Sequence, residues 1–335
     1  MNPSIVTLDT LKVQIPNISD YIEEIDLSLF KETKTTFQGN SQSTSILKEP
    51  DTIGLSQFAI FQNSGSAILE VSAKILLDDY SKGISLETLD RFSSSIKSKG
   101  IILSPNWVNN AYVLKCDSTK NINPTNLKQS LHDLNLLGLN TNFGITSYPG
   151  SIIFQARAKT DKGRMIFYDK HRELDRKPNK NFIKAINPKT LNSFIGVLRC
   201  ERNLRSLKDI RESFSIAKKM DMTIGFLDVL SSQENPNLTL FNKITQIQLP
   251  LFSVDPNYSN LKSWHEIEKS YGMNQIIQDC NYDLNVIMIA VKNYVSGNLS
   301  AYRKQYRERI AVLQAKQEKK SLTNSLNEIM EQLAV

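Results

Sequence analysis

Short strand-like runs, each closed by turn residues, recur through the first ~205 residues of this 335-residue chain. That rhythm, with about two helices mixed in, limits the region to an α+β sheet domain. Leu8–Ile15 (LDTLKVQI) alternates apolar and polar residues and stops at Pro16, as an opening strand does. Phe58–Phe61 and Ala67–Ala73, with Asn63-Ser64-Gly65 between them, read as a β-hairpin. Ala111–Ser118, Gly144–Tyr148, Ser151–Ala158 and Gly163–Lys170 are further strands, the last two flanking a Thr160-Asp161-Lys162-Gly163 turn. Phe194–Leu204 reads as the closing strand. Helical spacing of Leu86, Leu89 and Phe92 ends at Gly100, a C-cap, and a second helix runs from about Asn126 to Leu137. Phe37–Ser45 is crowded with Ser, Thr, Asn and Gln and reads as a loop.

Past Leu207 the period changes. Arg205–Met220, Asp228–Gln233, Trp264–Cys280 and the run from Tyr282 to Leu333 favour helix. The expected organisation is an α+β domain over residues 1–207 and a mainly helical region over 208–335.

No run of 18 apolar residues predicts a membrane span, and the first residues have no secretory pattern. Cys116, Cys200 and Cys280 are far apart with no CxxC spacing, which points to a reducing, cytoplasmic setting and away from structural zinc. The net charge of +7 says little alone. Its distribution says more: residues 157–184 hold ten Lys or Arg against four Asp or Glu, and residues 303–320 hold seven against two. Basic segments of this kind suit a polyanion such as DNA, and equally suit solvated helix faces.

Three acids lie within or at the end of apolar strands: Glu70 in AILEVSA, Asp117 in YVLKCDS and Glu201 in VLRCERNL. Hard carboxylate ligands of this kind suit Mg²⁺ or Mn²⁺, while outward-facing strand positions explain each acid as well. Tyr168 lies in RMIFYDK, where period-two alternation puts Arg164, Ile166, Tyr168 and Lys170 on one face. A free tyrosine ionises near pH 10, so attack at neutral pH needs help of ~4 kcal/mol. Lys170 and a divalent cation are the candidates to supply it.

The segments LDTLKVQIP, ILEVSAKILLDDYSKGI, YVLKCDST, GRMIFYDKHREL and VLRCERNLRSL resemble the gene II/X replication initiators of filamentous phages and their plasmid relatives. A similar Arg-x-x-x-Tyr-x-Lys element occurs in the rolling-circle Rep_trans plasmid initiators. The resemblance covers residues 8–210 as scattered motifs. It implies an antiparallel-sheet nickase domain of HUH-like, Rep type, with Tyr168 as nucleophile and Lys170 as its companion. It further implies Glu70, Asp117 and Glu201 as acids holding Mg²⁺ or Mn²⁺, and Arg164, His171, Arg172 and Arg199 as DNA contacts. Glu173 falls inside the matching block without an assigned role. The implied partners are single-stranded and origin DNA, with host helicase and polymerase.

Many tyrosine nickases bind metal through a His-hydrophobic-His pair, which His132, His171 and His265 do not form. Tyr302 and Tyr306 form the other familiar nucleophile spacing, in a basic helix where Arg303, Lys304 and Arg307 face DNA or a partner. Removing that helix is expected to weaken duplex binding and spare cleavage of a short single strand. The competing readings are a non-catalytic origin- or operator-binding protein and a tyrosine recombinase. The usual Arg and His scatter of the recombinases is missing. No GxxxxGK[ST] loop is present, so no nucleotide cofactor is expected.

Overall fold

A computed structural model of the chain describes residues 6–37, 40–47, 53–61, 64–139, 143–156, 163–218, 223–245, 273–274, 277, 282–285, 287–288 and 299–334. In chain order the strands are β1 (Leu8–Ile15), β2 (Ile22–Ile25), β3 (Phe30–Phe37), β4 (Asn40–Leu47), β5 (Leu55–Phe61), β6 (Ser66–Ser72), β7 (Ile101–Leu103), β8 (Tyr112–Ile122), β9 (Phe143–Tyr148), β10 (Ser151–Ala156), β11 (Arg164–Asp169) and β12 (Leu198–Leu204). The helices are α1 (Leu89–Lys97), α2 (Trp107–Asn110), α3 (Leu127–Leu139), α4 (Lys170–Leu174), α5 (Lys180–Ala185), α6 (Pro188–Asn192), α7 (Leu207–Ser213), α8 (Phe226–Leu230) and α9 (Pro236–Thr245), followed by a long helix over Leu299–Ala334. Among the described residues, ten strands form one sheet in the order β3-β4-β5-β6-β1-β8-β12-β11-β10-β9, and β2 with β7 forms a separate ribbon. The sheet pairs are antiparallel, so the architecture is mixed α and β around a large antiparallel sheet.

Period-two alternation sorts the sheet into two chemically different faces. Leu11 and Val13 of β1 stand opposite Val71 and Leu69 of β6 and opposite Cys116 and Val113 of β8, and all six are buried. Cys200, Phe167 and Ile152 continue this apolar face through β12, β11 and β10. Helices α3 and α9 cover it there; Phe241 of α9 meets Phe167 with ring centroids 5.5 Å apart. The opposite face carries the polar rows that hold the site.

Two expectations change. β12, read as the closing strand, lies inside the sheet between β8 and β11, so residues on it are flanked on both sides. Of Phe37–Ser45, read as a loop, Phe37 ends β3 and residues 40–45 lie in β4, and the two strands pair from Phe30↔Leu47 to Phe37↔Asn40. A Ser/Thr-rich segment shows no apolar alternation, yet its backbone groups still pair with the neighbouring strand. Of the expected Thr160–Gly163 turn, residues 160–162 lie outside the described residues. Most of the expected Trp264–Cys280 helix lies outside them too.

The chain forms two compact units, one of residues 1–247 with 326–335, the other of residues 248–325. The boundary expected near Leu207 therefore falls inside the first unit, because α7, α8 and α9 pack on β8, β11 and β12. The described parts of the second unit are helical, with a core of Met273, Ile277, Ile287, Met288, Tyr306 and Ile310. Tyr306 is buried in that core and Tyr302 packs against it, which gives both a packing role. Arg303, Lys304 and Arg307 are exposed. No helix among the described residues is long and apolar enough to cross a membrane.

The end of the long helix belongs to the first unit. Thr125 donates from its backbone N and from Oγ1 to Glu328, both at 2.7 Å. Asn123 N donates to Gln332 Oε1 at 2.6 Å, and Asn235 Nδ2 donates to the Leu333 carbonyl at 2.6 Å. Ile329 and Leu333 are fully buried. Truncation after Gly297 removes this packing along with the basic surface, so survival of cleavage no longer follows. Ile329→Ala is expected to cost the first unit about 2–5 kcal/mol, as for other buried large-to-small changes. Urea unfolding followed by circular dichroism measures it, and a loss near zero would show that this helix end is dispensable.

Candidate active site

The site grows from one row of directly paired residues: Ser151 of β10, Tyr168 of β11, Arg199 of β12 and Asn121 of β8. Arg199 is 1% exposed, and its guanidinium is satisfied from three elements. Nε donates to Asn121 Oδ1 at 2.8 Å, and Nη1 donates to Asp9 Oδ1 at 2.8 Å and to Tyr80 Oη at 2.9 Å. The guanidinium also lies 4.8 Å from the Tyr80 ring centroid and 5.7 Å from that of Phe194. Tyr80 packs edge-on to Phe182, so an aromatic lid seals this end of the polar face.

Tyr168 Oη donates a short hydrogen bond to Glu201 Oε1, on the strand beside it. Lys170 Nζ stands 3.4 Å from the same phenol oxygen and 2.6 Å from Glu173 Oε2. Lys170 arrives by a different route from the alternation expected. β11 ends at Asp169, whose carboxylate caps α4 by accepting from Arg172 N at 3.1 Å, and Lys170 opens that helix. Its aliphatic stem is buried and its ammonium turns back over the Tyr168 ring, 5.2 Å from the centroid. Asn179 Nδ2 donates to Glu173 Oε1 at 3.1 Å, and Lys74 Nζ donates to Asn179 Oδ1 at 2.8 Å.

These charges set one another's ionisation. Burial raises Glu201, and Asp9 adds to the rise, against Lys170, Arg199 and the Tyr168 hydrogen bond; the result is about 7. Burial opposes charge on Asp9 as well, but Arg199, Lys170 and Lys74 outweigh it and hold Asp9 below the usual carboxylate range. Glu173 is held low in the same way, against its burial, by Lys170 and Lys74. Burial and then Arg199 push Lys170 below the ordinary lysine value. Burial and Glu201 push the Tyr168 phenol well above 10, so the resting tyrosine keeps its proton. The group poised near neutrality is Glu201, and it already accepts the hydrogen bond from the phenol, the position a proton acceptor needs.

A groove of about 670 Å³ opens over the pair, lined by Tyr168, Glu201, Ile153, Ile166, Glu173, Arg172, Arg176 and the turn Tyr148–Ser151. Of the expected site residues, the structure brings together Tyr168, Lys170, Glu201 and Arg172, with Glu173.

The three acids expected to share a metal ion do not meet. Glu70 lies on β6, three strand spacings or about 14 Å across the sheet from β12. It pairs with Lys12 at 2.9 Å and Lys115 at 3.8 Å. Asp117 accepts from Asn203 Nδ2 at 2.9 Å. Among the described residues no group of three His, Cys, Asp or Glu stands close enough to hold an ion, so this ligand set does not fit Mg²⁺ or Mn²⁺. Arg199, expected on phosphate, is enclosed and spent on Asp9, Tyr80 and Asn121. Arg164 is half-buried opposite Asn203 and Gln155, its Nε without a partner among the described residues, and does not line the groove. His171 faces Asp175 at 3.9 Å. Arg303 and Arg307 belong to the second unit.

Asp9, Tyr80, Asn121 and Asn179 were not found from the sequence. Asp9 and Tyr80 fall in the matching segments LDTLKVQIP and ILLDDYSKGI, which was the one signal available. The chain matches no family model and no curated protein.

Arg199→Ala would strand Asp9 as a partnerless charge, so a loss of about 3–5 kcal/mol in unfolding free energy is expected. Adding Asp9→Asn should restore part of it, because the stranded charge is then gone. Strictly additive losses would mean that the two residues are energetically independent.

Proposed function

We propose that this protein nicks and rejoins single-stranded DNA at a replication origin, forming a 5′-phosphotyrosyl link through Tyr168. The observation that carries the reading is a tyrosine hydroxyl held between a carboxylate of near-neutral pKa and an ammonium, on the floor of an open groove. The large antiparallel sheet and the RMIFYDKHREL segment support a Rep-type nickase of the HUH-like class.

In the forward step Glu201 takes the phenol proton as Tyr168 Oη attacks phosphorus. The bond to the upstream 3′-oxygen breaks, and Lys170, already lowered in pKa, donates the proton that makes it a 3′-hydroxyl. The tyrosine keeps the 5′-phosphate as a diester, so the bond energy is conserved and no nucleotide cofactor is consumed. A polymerase extends the 3′-hydroxyl. In the closing step a 3′-hydroxyl attacks the phosphotyrosine and the protons return along the same path. Arg172 and Arg176 at the rim contact phosphate. Arg199 positions the pair through Asp9 and Tyr80 without touching DNA.

Tyr168→Phe should abolish the covalent adduct on a denaturing gel and leave binding of labelled single-stranded origin DNA intact. An undiminished adduct in that variant would falsify the assignment. A non-catalytic origin binder, the reading favoured by the raised phenol pKa, gives no adduct with either protein.

Glu201 supplies a second measurement. Its carboxyl must be ionised to accept the proton, so below about pH 7 the adduct rate should fall tenfold per pH unit. Glu201→Gln should slow the reaction and remove that limb. A limb that persists in Glu201→Gln would place the base elsewhere.

A further inference from the structure

The β9–β10 turn supplies groove residues that the proposed chemistry does not use. Tyr148 is paired with Ser151, and Ser151 with Tyr168, so the two tyrosines share a row two strand spacings apart, about 10 Å. Tyr148 is 56% exposed, one of the few large rings the described surface leaves uncovered. Pro149-Gly150 closes the turn with Gly150 at φ 81°. A side chain there would be strained, and its Cβ would stand 3.0 Å from Arg172 Cδ, so glycine lets Arg172 lie against the turn. Arg176 joins Arg172 on the same groove.

The charges of the lining are unequal in availability. Glu201 accepts from Tyr168, Glu173 is paired with Lys170, and Asp169 caps α4. Arg172 and Arg176 are exposed, and among the described residues neither is in an ion pair. An uncovered aromatic ring beside two available guanidinium groups matches the base and phosphate of an unpaired nucleotide.

We propose that Tyr148, Gly150, Arg172 and Arg176 form a nucleotide subsite, in which a base next to the scissile phosphate stacks on Tyr148 and its phosphate lies against the arginines. This deepens the nicking reading and rests on it. The ring is sequence-tolerant, so the subsite selects unpaired DNA over duplex rather than one base over another.

The probe is a fluorescein-labelled mixed-sequence single-stranded 20-mer, with binding followed by anisotropy across a salt series. Tyr148→Ala should weaken binding about tenfold, and Tyr148→Phe should bind as the unmodified protein does. The duplex of the same sequence should lose nothing, because its bases already stack on each other. Arg172→Gln with Arg176→Gln should flatten the slope of log affinity against log salt by about 0.7 for each phosphate no longer neutralised. Tyr148→Trp should bind well and show fluorescence quenched by the oligonucleotide beyond that of the unmodified protein. Unchanged affinity in Tyr148→Ala, an equal loss on duplex, or no added quench in Tyr148→Trp overturns the stacking. An unchanged slope overturns the role of the two arginines on phosphate. The subsite and the nicking reading fail separately, since Tyr168→Phe tests the adduct and leaves Tyr148 in place.

Discussion

The buried pair Arg199–Asp9 is the interaction on which the rest of the site depends. It joins β12 to β1 across β8, between residues 190 positions apart in the chain. A guanidinium has five N–H donors and no way to shed its charge, so enclosing one requires acceptors from several directions. The fold supplies them as a carboxylate from the first strand, an amide from β8 and a phenol from the segment after β6. Their convergence fixes where the strands must stand in register, and with it the position of Tyr168 directly opposite Arg199. The same ion also sets the field: it favours charge on Asp9, disfavours it on Lys170 and tempers the rise of Glu201.

Around that pair the polar face is electrically close to balanced. Lys74, Lys170 and Arg199 stand against Asp9, Glu173 and a Glu201 that is half ionised near neutrality. A buried cluster tolerates little net charge, and the carboxylate least well paired absorbs the difference by holding its proton. That carboxylate is the one touching the tyrosine. On the proposed reading Glu201 handles the proton, and it does not share a site with Glu70 and Asp117 as the sequence led one to expect. Those two acids meet a different need on the same face, neutralising lysines and satisfying an asparagine.

Much of the sheet was legible because each strand carries its own alternation, and a local pattern needs no partner to be read. β1, β6, β8, β10 and β11 all fall where the alternation put them. Strand order was not legible: nothing in Phe194–Leu204 says that it enters the interior of the sheet rather than its edge. The site divides in the same way. Tyr168 and Glu201 stood out inside apolar runs, whereas Asp9 sits on an ordinary polar face and gains its meaning only from Arg199. Lys170 reaches Tyr168 by a route the alternation did not contain, since a helix start, not a continuing strand, returns it to the phenol. The Leu207 boundary failed because a change of period marks where helices begin, and these helices pack on the sheet that precedes them.

The contribution of residues 326–334 to the first unit makes residues 248–325 an insertion within it. Loop-closure entropy grows only slowly with length, so such an insert can change in size at little cost to its host. Its consequence is temporal. A ribosome that has finished Ile247 has made every residue of the groove, yet the helix end that receives Thr125, Asn123 and Asn235 is still ~80 residues away. At about 5–20 residues per second that is a wait of roughly 4–16 seconds. During it the apolar seat of Ile329 and Leu333 stays empty, and Asn123, Thr125 and Asn235 lack these partners. Placing that helix end after the insertion ties completion of the first unit to translation of the insert, so the first unit closes only once the second has been made.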